Sequence, residues 1–128
     1  MGDFLDSFSI AASGMRAQAK RLRHVAENIA NADTPGYRRK SIPFHAAVPG
    51  SRGEVETGRV RLDPAELSLI HDPTHPMADA TGHYQGSNVN SILEIADSRE
   101  AQRSYEANLK MFDQTRKMSG ALLDLLRR

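Results

Sequence analysis

The sequence predicts a mainly α fold: two long terminal helices forming an antiparallel, coiled-coil-like hairpin, with an extended, β-containing insert between them. Three observations carry this reading. Apolar residues recur every seven positions from Phe8 to Ile29, a second set of heptad rows fills the C-terminal third, and five of the six prolines fall between Pro43 and Pro76. The divisions that follow are a first helix over 1–33, a turn and non-helical insert over 34–87, and a second helix over 88–128, with the two helices sharing one core.

In the first helix Phe8, Met15, Leu22 and Ile29 keep strict heptad spacing. Ala11, Val25 and Ala32 follow three residues behind, with Gln18 as the polar exception, and Ala12, Ala19 and Ala26 fill the position four behind. Such a row reads as a coiled-coil-like seam, flanked by an alanine stripe that permits close approach of another backbone. Gly14 interrupts it and weakens an isolated helix by about 1 kcal/mol relative to Ala. A helix of this kind needs partners.

The stretch NIANADTPGY then stops the helix. Pro35 pushes Thr34 out of the helical region, and Pro-Gly is a strong turn pair. A stop alone requires neither a tyrosine nor spaced amides. Asn28 and Asn31 can bond backbone groups at the helix end, and Tyr37 can fold back onto the helix or a neighbour. These three, with Thr34, Pro35 and Gly36, are the candidate functional turn.

Helical periodicity is absent from the insert, which is punctuated by Pro43, Pro49, Gly50, Gly53, Gly58, Pro64, Pro73, Pro76, Gly82 and Gly86. Glu54 to Leu62 alternates and reads as strands or a hairpin, with the insert expected to project from one end of the helix pair. Helix resumes at an N-cap, Asn88 or Asn90. Tyr105, Phe112, Ser119 and Leu126 form one heptad row, Ala101, Asn108, Thr115 and Leu122 a second, and Met111, Met118 and Leu125 a third. Three rows make a face wider than one helix covers, and contiguous exposed apolar surface marks an interaction site. Phe8, Met15, Leu22, Ile29, Tyr105, Asn108, Phe112, Leu122 and Leu126 are therefore the candidate assembly interface. One helix pair alone buries too little to offset chain entropy comfortably.

Composition narrows the alternatives. The 128 residues suit one domain, but 5% aromatic content without Trp is thin for an independent core. A net charge of +1 gives no strong field for nucleic acid or an anionic membrane. The ends are relatively basic and the middle acidic, a distribution that fits recognition between neighbouring copies and fits ordinary solvated faces equally. The absence of cysteine excludes disulfides, thiolate metal sites and thiol nucleophiles. Asp3 and Asp6, with no basic region ahead of them, argue against a secretory signal peptide, and no apolar run has transmembrane length.

The best enzyme-like cluster is His71, Asp72, His75, Asp79 and His83. His71 and His75 have the spacing of a helical zinc pair, but Pro73 and Pro76 forbid a helix there. No HExxH, phosphate loop or Gly-x-Ser-x-Gly is present. No catalytic, cofactor-binding or metal site is expected. Arg16, Lys20 and Arg23, with Arg38, Arg39 and Lys40, are spaced like a phosphate-facing surface. They share a helix with the seam, however, and read as a stripe facing solvent or an acidic patch on a neighbour. Neither a nucleic acid nor a small-molecule substrate is expected. Met15, Met111 and Met118 read as adaptable packing.

Longer motifs add a resemblance. NIANADTPGYRRK resembles the Asn-x-x-Asn-x-x-Thr-Pro-Gly-Tyr signature of the rod and hook family of bacterial flagellar axial proteins, matched by Asn28, Asn31, Thr34, Pro35, Gly36 and Tyr37. SREAQRSYEANLKMFDQTRKMSGALLDL is similar to that family's C-terminal helix with its Tyr-Glu-Ala-Asn. DPTHPMADATGHYQGSNVN, with the short insert, resembles a proximal-rod member more than the hook or distal-rod proteins. His83, Gln85 and Gly86 stand where that pattern has a more apolar strand. The resemblance implies a structural subunit and not an enzyme. It would be exported through the flagellar type III apparatus without a cleavable signal and would polymerise in the periplasm with its own copies and related rod proteins. It would meet the membrane-ring or export-gate adaptor and help pass torque to the hook. From the residues alone, the competing reading is a stand-alone helical coiled-coil adaptor.

Overall fold

The computed structural model describes residues 2–48 and 53–127, so Pro49 and Gly50 lie outside the described residues. Helix α1 runs Gly2–Ala30 and helix α2 runs Ser91–Leu126, 29 and 36 residues, or about 44 and 54 Å of helix. They pack antiparallel. Phe8 meets Phe112 edge-on with ring centroids 4.9 Å apart, Arg21 pairs with Asp97 and Glu100, and Asn28 reaches Glu94. Asn90 is the N-cap of α2, its side chain accepting from the Ile92 and Leu93 amides.

The alanine stripe does not form the helix contact. Ala19 and Ala26 are exposed, while Ala11, Ala17, Val25 and Ala101 are the buried apolar residues. Close approach comes instead from Gly14: a Cβ there would lie 2.7 Å from Asn108 Nδ2 and 2.8 Å from its Cγ. The glycine that weakens an isolated helix is what lets this pair close over Asn108.

Between the helices lie three two-stranded antiparallel sheets. Strands β1 (Lys40–Ser41) and β2 (Phe44–Ala46) pair with β4 (Arg61–Leu62) and β3 (Val55–Thr57) respectively. Of the two readings of 54–62, strands or a hairpin, the strands are found, and they pair with 40–46 in one long bent ladder. Ser41 sits opposite Arg61 and Phe44 opposite Thr57, which leaves two residues on one side of the break and three on the other. This one-residue bulge bends the ladder. It falls where Gly58 packs on Pro43, its N–H donating to the Pro43 carbonyl at 2.9 Å.

The 40–62 part of the insert does not project from the end of the helix pair; it turns back along α1. Ser13 Oγ accepts from the Val55 N–H at 3.0 Å, and Lys20 donates to Thr57 Oγ1 at 3.2 Å. These bonds lay β3 against the helix, since strand amides facing α1 otherwise lack partners. A second hairpin pairs β5 (Leu69–His71) with β6 (His83–Gln85), with His71 opposite His83. Residues 83–85 are thus strand despite their polarity. Among the described residues no helix is long and apolar enough to cross a membrane.

Gly14 supplies a test. Ala there gains about 1 kcal/mol of helix propensity, opposed by the clash with Asn108. Gly14→Ala is expected to withhold that gain in the native background and deliver it when Asn108→Ala has cleared the space. Urea unfolding of the four members of this cycle measures the coupling.

Candidate assembly interface

The turn is built from the end of α1 outward. Asn31 Nδ2 donates to the Glu27 carbonyl at 2.9 Å, and Thr34 Oγ1 donates to Asn31 Oδ1 at 3.1 Å, which ties off the helix. The Tyr37 N–H closes onto the Thr34 carbonyl at 3.2 Å, with Pro35 at the second position of the turn and Gly36 at the third. Gly36 has φ 75, with nothing within 4 Å of a Cβ placed there, so its requirement is backbone conformation. Its N–H donates to the carbonyls of Gln85 and Gly86 at 3.2 and 3.0 Å, tying the turn to the second hairpin.

The turn brings Tyr37 back over Asn28. Its hydroxyl donates to Asn28 Oδ1 at 2.9 Å, and burial pushes the phenol pKa up. Asn28 Oδ1 also accepts from the Lys40 N–H at 2.9 Å, while Nδ2 donates to the Lys40 carbonyl at 2.8 Å and to Glu94 Oε2 at 3.3 Å. Arg39 Nε donates to the other oxygen of Glu94. Asn28 and Glu94 are both 0% exposed and are the largest fully buried side chains among the described residues.

Around this knot lies a wider polar network. Asn88 accepts from the Arg39 N–H at 2.6 Å and donates to the Asp63 and Ala65 carbonyls, which also receive Arg38. Lys40 pairs with Glu27 at 3.0 Å, which holds the Glu27 carboxyl below its usual range and raises Lys40. Burial opposes the Arg21 charge, but its bonds to Asp97 and Glu100 outweigh that and push its pKa up. Arg38, Arg39 and Lys40 are thus spent inside the molecule, and Lys20 of the α1 stripe faces the insert.

The sequence-derived interface residues divide into three groups. Phe8 and Phe112 meet each other, and Asn108 closes over Gly14. Met15, Leu22 and Tyr105 are half-buried, and Ile29 is exposed. Leu122 and Leu126 face solvent at the far end, where they join Phe4, Ser119, Leu123 and Leu125 around an apolar cavity of about 270 Å³. Met111 and Met118 are exposed as well.

Sequence reasoning missed Glu94 and Asp97, and it gave Arg39 and Asn88 other roles, in a surface stripe and as an N-cap. A signal for the first was present. Gly14, Arg21 and Asn28 form a heptad row of their own, and the row Ala101, Asn108 extends backward by seven to Glu94.

Comparison with known proteins assigns these parts. A family described as flagella basal body rod protein matches residues 8–38, which span most of α1 and the whole turn. One described as flagellar basal body rod FlgEFG protein C-terminal matches 80–125, which span β6 and nearly all of α2. The flagellar basal-body rod protein FlgC of Agrobacterium fabrum is 42% identical over 127 residues, covering 92% of this chain and 91% of the relative. The chain belongs to the FlgC family of flagellar basal-body rod proteins. Other members are those of Salmonella typhimurium, 36% identical with 89% of this chain and 91% of the relative covered, and Aquifex aeolicus, 35% identical with 92% and 93% covered. In this FlgC-family chain, Asn28 and Tyr37 of the knot fall within one matched segment and Glu94 within the other.

Glu94→Ala leaves Arg39 half-buried without its carboxylate and Asn28 short of an acceptor. It is expected to destabilise the chain by roughly 3 kcal/mol, and Glu94→Gln by less, as read by urea unfolding.

The β5–β6 hairpin is expected to weaken in acid. The Thr74 hydroxyl holds the Asp72 carboxyl below its usual range, and Thr81 with the His83 amide does the same for Asp79. Groups depressed in the folded state stabilise fully above their ordinary pKa, and that contribution disappears as pH falls through the folded value. Dispersion of the hairpin amide resonances should therefore decline below about pH 4, and Asp72→Asn with Asp79→Asn should flatten the profile.

Proposed function

We infer that this chain is a structural subunit of the flagellar basal-body rod which packs its helices against related rod proteins. The finer reading places it in the proximal rod, in the periplasm, reached through the flagellar type III apparatus and contributing to torque transmission. Family membership carries the first statement. The observation that favours polymerisation is the face of α2, on which Glu94 and Ala101 are the buried residues of 36 while Leu109, Met111, Met118 and the terminal leucines are exposed. Exposed apolar surface of this extent supports a partner-facing role, and a heterologous contact that does not close makes a helical assembly.

The turn residues Asn28, Asn31, Thr34, Pro35, Gly36 and Tyr37 are proposed to orient α1 and the insert for that packing. Phe8, Met15, Leu22, Ile29, Tyr105, Asn108, Phe112, Leu122 and Leu126 are proposed to build the shared seam. Some of them do so by holding the two helices together and others by contacting neighbours.

The experiment is to follow the chain in detergent-extracted hook–basal bodies, cytoplasm and soluble periplasm. Enrichment in basal bodies, with loss of hooks and motility on deletion, is expected. A soluble chain absent from basal bodies and dispensable for motility favours the helical-adaptor reading instead. Tyr37→Ala should impair rod completion while the chain is still exported; normal rods would remove the assembly role of the turn.

A further inference from the structure

Heptad spacing makes a helix pair tolerant of sliding. A shift of seven residues on α2 again puts rows of similar character together: Phe8, Met15 and Leu22 would meet Ser119, Phe112 and Tyr105. In the observed register Phe8 faces Phe112 and Asn28 faces Glu94, so the start of α1 lies beside residues near 119. Beyond that point α2 runs on past the start of α1, with Phe4 reaching the cavity lined by Leu122, Leu123, Leu125 and Leu126, the last two still 64% and 80% exposed. Sliding α1 by one heptad toward this end would bring Phe4 and Phe8 over Leu122 and Leu126, which continue the rows of Asn108 and Phe112 that face α1. The slide therefore offers apolar cover at this end that the observed register withholds.

Midway along the pair, the Arg21 ion pairs with Asp97 and Glu100 and the fit of Asn108 over Gly14 oppose the slide, and the buried opposition sits at the other end. Asn28, Glu94 and Arg39 are joined in one buried network, and Asn88 ties the Arg39 backbone to the segment ahead of α2. A seven-residue shift sets Asn28 against Ala101 and strands the Glu94 carboxylate without its partners, and a buried charge without partners is strongly disfavoured. One well-placed polar group at a seam is able to select register in this way.

We propose that the Asn28–Arg39–Glu94 knot, with Asn88, is a register lock. It holds α2 where its terminal leucines overhang α1 and stay available to a neighbouring subunit. The availability rests on the rod reading; the lock does not.

The chain has no cysteine, so spin labels placed through Arg23→Cys and Lys117→Cys, both at exposed positions, report one longitudinal separation. The purified full chain is measured by pulsed dipolar spectroscopy, with helix content followed by circular dichroism. With the native knot a single long separation is expected. Combined Asn28→Leu, Arg39→Met, Glu94→Leu and Asn88→Ala should retain the helix content and shorten that separation by about 10 Å, the rise of seven helical residues. Adding Leu122→Ser, Leu125→Ser and Leu126→Ser removes the apolar reward for sliding and should restore the native value. An unchanged separation overturns the proposal, because register is then set elsewhere. Loss of helix also overturns it, because the knot then holds the pair together instead of choosing its alignment. So does a native chain without the long separation, or a shortened one that the serines leave short. None of these readings depends on whether the chain is found in basal bodies.

Discussion

The carboxamide of Asn28 has two N–H donors and one oxygen able to accept twice, and all of that capacity is used. It donates to the Lys40 carbonyl and to Glu94, and it accepts from the Lys40 N–H and the Tyr37 hydroxyl. Four segments meet on that one group: the end of α1, the turn, the first strand of the insert and the start of α2. An apolar side chain of the same volume would fill the space but leave these backbone and side-chain groups unsatisfied, each at a cost of roughly 1–3 kcal/mol. The course of the insert back along α1, the position of Arg39 and the depth of Glu94 all follow from this residue being an amide.

The unusual feature of the interior is that, among the described residues, the largest fully buried side chains are polar while the buried hydrophobic ones are three alanines and a valine. Small side chains let two backbones approach but supply little free energy and little directional preference. Hydrogen bonds supply direction. In this molecule the polar row Gly14, Arg21, Asn28 determines how the helices face each other, and the bulkier rows determine how much apolar surface is left over. Phe8 and Phe112 belong to both, touching within the chain at the point where α1 begins to run out.

The two helices were legible in the sequence because heptad spacing is a local property, and the turn because Thr34, Pro35 and Gly36 each restrict their own backbone. The strand pairing was not legible. Val55 and Thr57 reach Ser13 and Lys20 about forty positions away, and no local pattern announces an interaction set by where the chain returns. Gly14 was read as a weakness because propensity is counted per residue, whereas its use depends on Asn108 in the other helix. Glu94 drew no reading, since an acidic residue in the first turn of a helix is ordinary. Its burial becomes readable only when Asn28 is recognised as core instead of cap.

Register and association are therefore assigned to different chemistry at opposite ends of the pair. Near the turn, directional polar groups are satisfied within the chain, and Arg39, Lys40 and Glu94 have little left to offer a neighbour. Toward the α2 terminus the surface is leucine and methionine, non-directional and adaptable, and nearly all of it remains uncovered. A subunit built this way keeps its alignment without spending the apolar surface that assembly needs. Had the same leucines been buried in the hairpin, the chain would be more stable alone and would have less to gain from polymerising. Less apolar burial within the pair and more exposed apolar surface at its end are two consequences of the same distribution of side chains.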